Sequence, residues 1–295
     1  MQFTSKPYRW FLRMNYVFLA LLAVLCFFPI VNVLAISFSS STAVSAGRVT
    51  FWPIDFTFSS YRYMLENNQF IHSFGTSLLR VVLGVSVNLL FTVLVAYPLS
   101  KEASVFRSRT VYAWIFVFTM LFSGGLIPGY LIVKEMHLLD SVWALVIPGA
   151  VPIFNVLLML NFFRGLPKEL EEAAWMDGAG HLRTLWNIYL PVSMPSIATV
   201  TLFALVGHWN AWFDGMIYMR SPEHYPLATY LQSILQQVTA SMENVTLEEA
   251  ALLNQVSDRT TQAAQIFLSI LPIMAIYPFL QRYFVHGLVV GSVKG

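Results

Sequence analysis

The sequence predicts an all-α membrane protein with six transmembrane helices. Three observations carry that prediction. Of the 295 residues, 57% are hydrophobic and only 11% are charged, whereas a soluble globular domain carries about 25% charged residues. Apolar runs at 14–37, 73–99, 110–133, 141–163, 189–212 and 262–284 each reach the length of about 20 residues that a helix needs to cross a bilayer. Proline and glycine recur inside those runs, at Pro29, Gly124, Gly125, Pro128, Pro148, Pro152, Pro195, Pro272 and Pro278. Membrane helices tolerate them because neighbouring groups satisfy the freed backbone, so kinked or broken helices are expected.

Residues 1–13 form a basic, aromatic arm with Lys6, Arg9 and Arg13. A basic approach to an apolar run also fits a signal peptide. Here the run is longer than the usual apolar region and five more follow, so a retained first helix is the better reading. Residues 14–72 then comprise the first helix and an outer loop, with Trp52, Tyr61 and Tyr63 suited to the headgroup level. The second run carries Arg80, expected to snorkel to the interface, and Asn88, expected to hydrogen-bond to a neighbouring helix. The third contains Ser123-Gly124-Gly125, where the helix can break. The fourth holds Asn155 and Asn161, and the fifth ends in His208-Trp209-Asn210-Ala211-Trp212-Phe213-Asp214. A long acidic outer segment, 214–261, precedes the sixth run, and 286–295 form a tail.

Basic residues set the orientation. With the amino terminus inside, the inner segments hold eleven: Lys6, Arg9, Arg13, Lys101, Arg107, Arg109, Arg164, Lys168, Arg183, Arg282 and Lys294. The outer segments hold five: Arg48, Arg62, Lys134, Arg220 and Arg259. Both termini and the stretch 164–188 are therefore expected on the cytoplasmic side of a multi-pass protein.

Several chemistries are excluded. A net charge of +2 does not suggest a nucleic-acid partner. The single cysteine, Cys26, rules out disulfides and cysteine-based metal sites within the chain. The six histidines are scattered, with no helical pair of zinc-ligand spacing, so no metal site is read. There is no GxxxxGK[ST] phosphate loop and no GxSxG nucleophile elbow. The six runs contain no Asp or Glu, which argues against a secondary transporter or channel driven by ion coupling. No source of energy is visible in the chain, and a partner could supply it.

The densest cluster of charge lies between the fourth and fifth runs. Pro167 suits the start of a short helix. Glu169, Glu171 and Glu172 sit where the helix dipole favours negative charge. Leu170, Ala173, Ala174 and Asp177 share one side, and the small alanines permit close approach of another surface. Gly178 and Gly180 provide a helix-ending turn. A second short helix begins near His181 and is expected to place Leu182, Leu185, Trp186 and Tyr189 on one face.

Counted from Glu172, the pattern is E-A-A-x3-G-x9-I-x-L-P, complete at Glu172, Ala173, Ala174, Gly178, Ile188, Leu190 and Pro191. It resembles the EAA motif of membrane subunits of ATP-binding-cassette (ABC) importers. The segment His208–Asp214 and the terminal Gly-Ser-Val-Lys-Gly resemble those of carbohydrate-importer permeases. The MalG-like group is the nearest, and within it the LplC/YtcP-type oligosaccharide permeases.

The resemblance implies a type I ABC importer permease fold, with a transmembrane domain over 73–285 and a coupling element over 165–188. It implies that Glu171, Glu172, Ala173, Ala174, Asp177, Gly178, Gly180, Ile188, Leu190 and Pro191 form the contact with an ATPase subunit. The tail Ser292, Val293, Lys294 and Gly295 would enter the ATPase interface. Asn155, Asn161, His208, Trp209, Asn210 and Trp212 are candidates for the substrate path. The implied partners are a second homologous permease, two ATPase subunits that hold ATP and magnesium, an extracytoplasmic solute-binding protein, the carbohydrate and the bilayer of a bacterial cytoplasmic membrane. The chain itself would bind no cofactor and catalyse no reaction. The implied cargo is an oligosaccharide, fragments of pectin or alginate among the choices.

Overall fold

A computed structural model describes residues 6–66, 68–243 and 259–291. Among them the secondary structure is helical, with no strand. Two compact units are distinguished: 1–68 with 234–271, and 69–233 with 272–295.

The first unit contains α1 (Lys6–Ser37), α2 (Ser41–Ser45) and α3 (Ser59–Glu66). None of the most apolar 18-residue stretch of α1 is buried. An apolar surface of that extent is expected against lipid or a partner rather than water. Beyond α1 the chain folds back. Phe38 stacks on Phe56 and Tyr61, and Ser37 and Tyr61 share a 2.8 Å hydrogen bond.

The second unit is built on α4 (Asn68–Ser100). Its buried residues include Ser73, Ser77, Arg80, Gly84, Asn88, Thr92 and Ala96, spaced by three or four and therefore on one stripe. Leu78, Leu79, Val82, Leu90 and Leu94 point outward and are exposed. Over 73–92 the helix is thus inverted relative to a soluble one, whereas nearer its ends it also buries Phe70, Val93, Tyr97 and Leu99. Small and polar side chains face its neighbours, where they permit close packing and hydrogen bonds, and apolar ones face out, as in membrane bundles.

The following helices are α5 (Arg109–Leu121), α6 (Leu126–Glu135), α7 (Val142–Val146) and α8 (Ile153–Arg164). The expected break in the third run occurs. The α5 and α6 axes differ by 112°, and Gly125 adopts φ +89°, a left-handed value that a side chain would resist. The fourth run is broken as well, at its prolines. It is not one spanning helix but α7, an irregular segment around Pro148 and Pro152, and α8. At 12 residues, α8 is about 18 Å long.

Then come α9 (Glu169–Met176), α10 (His181–Thr184), a π turn (Leu185–Tyr189), α11 (Leu190–Val192) and α12 (Met194–Asn210). The helical stretch His181–Val192 meets α12 at 84°. Next are α13 (Phe213–Tyr218), α14 (Leu227–Glu243) and α15 (Arg259–Gly291). The segment 214–261 therefore opens with helical structure rather than loop; its residues 244–258 lie outside the described ones.

Among the described residues three helices, α1, α4 and the Arg259–Phe279 part of α15, are individually long and apolar enough to cross a membrane, and counting each bent pair as one span raises the number to five. The core joins Ala96 and Tyr97 of α4, Val156, Met159 and Phe163 of α8, Leu185 and Tyr189 of the π turn, and Val200 of α12. This core lies directly behind the charge cluster.

Candidate functional site

The α9 helix is formed locally. Glu171 and Glu172 N–H groups both donate to the Lys168 carbonyl, at 2.9 and 3.0 Å. Three acids occupy its first turn, the favourable end of the dipole. Its C-terminus closes in a Schellman motif: Gly178 N–H donates to Trp175 O at 3.0 Å, and Ala179 N–H to Ala174 O at 2.9 Å. Gly178 has φ +75°, as that turn requires.

The two adjacent acids have different surroundings. Glu171 turns inward and Glu172 is exposed. Lys101 Nζ donates to Glu171 Oε1 at 2.7 Å, and Tyr189 OH donates to Glu171 Oε2 at 2.7 Å. Lys101 Nζ also lies 3.1 Å from Tyr189 OH and stands over the rings of Tyr97 and Tyr189, 3.9 and 4.1 Å from their centres. Lys101 is only 6% exposed and Glu171 14%. Burial pushes the Lys101 ammonium pKa below its usual value, and the Glu171 carboxylate opposes that shift. A second pair, Lys168–Glu102, is exposed and contributes little to stability. Lys168 nevertheless holds the Glu102 carboxyl below its usual pKa.

Of the other EAA-pattern residues, Ala174 is buried, while Ala173, Asp177, Gly178, Gly180 and Pro191 are exposed. Ile188 and Leu190 pack against the core. The expected single face of the second short helix is corrected. Leu185 and Tyr189 are buried, but Leu182 and Trp186 are 68% and 57% exposed. The cause is the π turn, in which Leu190 N–H reaches Leu185 O, five residues back. Pro191 lacks the N–H that would extend an α-helix in register.

A second feature is a polar cavity of about 510 Å³, lined in part by Arg80, Asn88, Asn155, His208, Asp214 and Tyr218. Arg80 does not snorkel as expected. It is buried and forms an ion pair with Asp214, and its Nη1 donates to Ala211 O at 3.0 Å. The apolar runs hold no carboxylate, yet Asp214, just beyond the fifth, reaches a buried cation. Asn88 Nδ2 donates to the carbonyls of Gly149 and Ala150 at 2.8 and 3.1 Å, and His208 Nε2 donates to Asn88 Oδ1 at 2.9 Å. Asn88 thereby satisfies backbone carbonyls in the break between α7 and α8, which a membrane setting demands.

Among the candidates for a substrate path, Asn155 and His208 line this cavity. Trp209 is buried against Phe74, Trp212 packs on Phe213, and Asn161 and Asn210 are exposed elsewhere. Arg80, Asp214 and Tyr218 were not candidates from sequence. The regular recurrence of polar and small residues along α4 was the available signal for Arg80. The tail Ser292–Gly295 lies outside the described residues.

Residues 81–290 match the family described as binding-protein-dependent transport system inner membrane component. The chain belongs to that family. It is a membrane permease subunit of an ABC importer and is not itself the ATPase. It is 38% identical to protein LplC of Bacillus subtilis over 292 residues, covering 99% of this chain and 97% of that one. It is 34% identical to the polygalacturonan/rhamnogalacturonan transport system permease protein YtcP of the same organism, covering 97% and 99%. Its fold is similar to a chain in the crystal structure of a bacterial ABC transporter involved in the import of the acidic polysaccharide alginate. There the TM-score is 0.82, the identity 37%, and the coverage 96% of this permease and 100% of that chain.

Proposed function

We propose that this permease pairs with a second, related permease to form the path by which an oligosaccharide enters a bacterium across its cytoplasmic membrane. A solute-binding protein delivers the sugar outside, and two ATPase subunits, which hold ATP and magnesium, supply the work inside. The α9 helix seats in a cleft of one ATPase, and Glu172 meets a basic residue there. The observation that carries this reading is the division of labour between adjacent acids: Glu171 is engaged within the chain, while Glu172 is presented at the surface.

In this reading the chain crosses the membrane six times, through α1, α4, the α5–α6 pair, α7 with α8, α12 and α15. Both termini and the stretch 164–188 face the cytoplasm. The transmembrane domain is 73–285. The cavity beside Arg80, Asn155 and His208 belongs to the substrate path. The similarity to YtcP, a polygalacturonan/rhamnogalacturonan permease, and to the alginate importer supports oligosaccharides containing uronic acids as the first cargo to test.

The test is reconstitution in proteoliposomes with the second permease, the ATPases and the binding protein. Uptake of oligogalacturonate, alginate oligosaccharide and maltodextrin is then compared. Uptake that requires ATP and the binding protein is expected. Uptake by this chain alone, without nucleotide, would overturn the proposal.

A further inference from the structure

We propose that Lys101 is a positioning residue that couples movement of the docking helix to the membrane helices. The proposal rests on the reading of α9 as the ATPase-docking helix. With eight residues, α9 makes only about two turns, and it hangs between the turn at Pro167 and the turn at Gly178. A helix so short and so hinged would pivot under a push from outside unless something held its inner side.

Lys101 and Tyr189 hold that inner side. Lys101 directly follows the 33-residue α4, and Tyr189 closes the π turn that leads through α11 into α12. Their groups converge on both carboxylate oxygens of Glu171, so the inward acid of α9 is bound to two membrane helices at once. The Lys101 backbone is fastened too, because Arg109 donates to its carbonyl. Arg164, the last residue of α8, donates to Leu99 O at 3.1 Å. Burying an ion pair is often no more stable than burying apolar groups of the same size. What the pair adds is direction: the ammonium is fixed by two oxygens and two aromatic faces, so Glu171 cannot slide without α4 and Tyr189 following.

The experiment uses the assembled importer in nanodiscs, with Cys26→Ser removing the native thiol and Phe203→Cys reporting on the polar cavity. Reaction of that thiol with fluorescein maleimide is measured without nucleotide and after trapping with ATP and vanadate. ATPase co-purification and basal hydrolysis are measured in parallel. With Lys101 intact, trapping is expected to change the labelling rate about tenfold. Lys101→Met should retain the ATPases and basal hydrolysis but lose the nucleotide response, and Lys101→Arg should restore most of it. If Lys101→Met fails to assemble, the neutral pair Lys101→Met/Glu171→Gln decides, since it leaves no buried charge unmatched. That variant should assemble and remain unresponsive. A normal response in Lys101→Met, or in the neutral pair, would overturn the proposal. If ATPases fail to bind even with Lys101 intact, the docking role of α9 fails instead.

Discussion

Replacing Asn88 by alanine removes three hydrogen bonds from one buried side chain. Two are donated to the Gly149 and Ala150 carbonyls, and one is accepted from His208. In membrane helices such bonds average about 0.6 kcal/mol each, so Asn88→Ala should destabilise the permease by about 2 kcal/mol. The carbonyls lie where α7 has ended and α8 has not begun, and Asn88 supplies a side-chain hydrogen bond to each. Asn88→Leu keeps the γ-branched shape, in a bulkier side chain, without the amide and should lose at least a similar amount. The control is Ser86→Ala: its hydroxyl is exposed and bonds only to Val82 O, 2.7 Å away in its own helix. Reversible unfolding in mixed micelles, titrated with SDS and followed by tryptophan fluorescence, gives the three values. The reasoning is refuted if Asn88→Ala falls within about 0.5 kcal/mol of the control, or if Asn88→Leu restores full stability.

With α9 docked as proposed, Glu172→Lys should put like charges together in the ATPase cleft. Pull-down with tagged ATPase subunits should show weakened association or uncoupled hydrolysis, with the permease still in the membrane; unchanged pull-down and uptake would contradict this. Gly178→Pro forces φ near −65° where +75° is required, so the same assay should register loss of docking, and Gly178→Ala a smaller defect. Arg80→Met leaves Asp214 without its cation. The cost should fall somewhat below the about 3–5 kcal/mol of a broken buried pair, because Asp214 is 28% exposed and keeps the Gly215 N–H. Adding Asp214→Asn should recover most of that loss in the same SDS titration.

The breaks and the α9 turn were legible because each is a local matter. Gly125 and Gly178 adopt the left-handed angles that glycine permits, and Pro148 and Pro152 interrupt the fourth run. The charge relations were not legible. Arg80 finds Asp214 across 134 residues and Lys101 finds Glu171 across 70, separations that no periodicity encodes. Reading Arg80 as an interface residue followed from its place near one end of an apolar run. The structure places it well inside α4, on the stripe with Ser77, Gly84 and Asn88. The π turn is not legible because a single extra residue leaves the apolar pattern intact while dividing Leu182 and Trp186 from Leu185 and Tyr189.

The inversion of α4 changes how natural or engineered variants of this chain should be weighed. The usual intuition treats a change from a large aliphatic residue as damaging and a change to one as benign. Over residues 73–92 of α4 the risk runs the other way. Leu79 is 50% exposed and can exchange for another aliphatic residue with little consequence. Ser77 is 1% exposed and accepts the Leu227 N–H at 2.7 Å. A leucine there would gain hydrophobicity, forfeit that bond and press against neighbours that left room for a hydroxyl. A substitution score calibrated on water-soluble proteins would therefore rank these two positions in the wrong order.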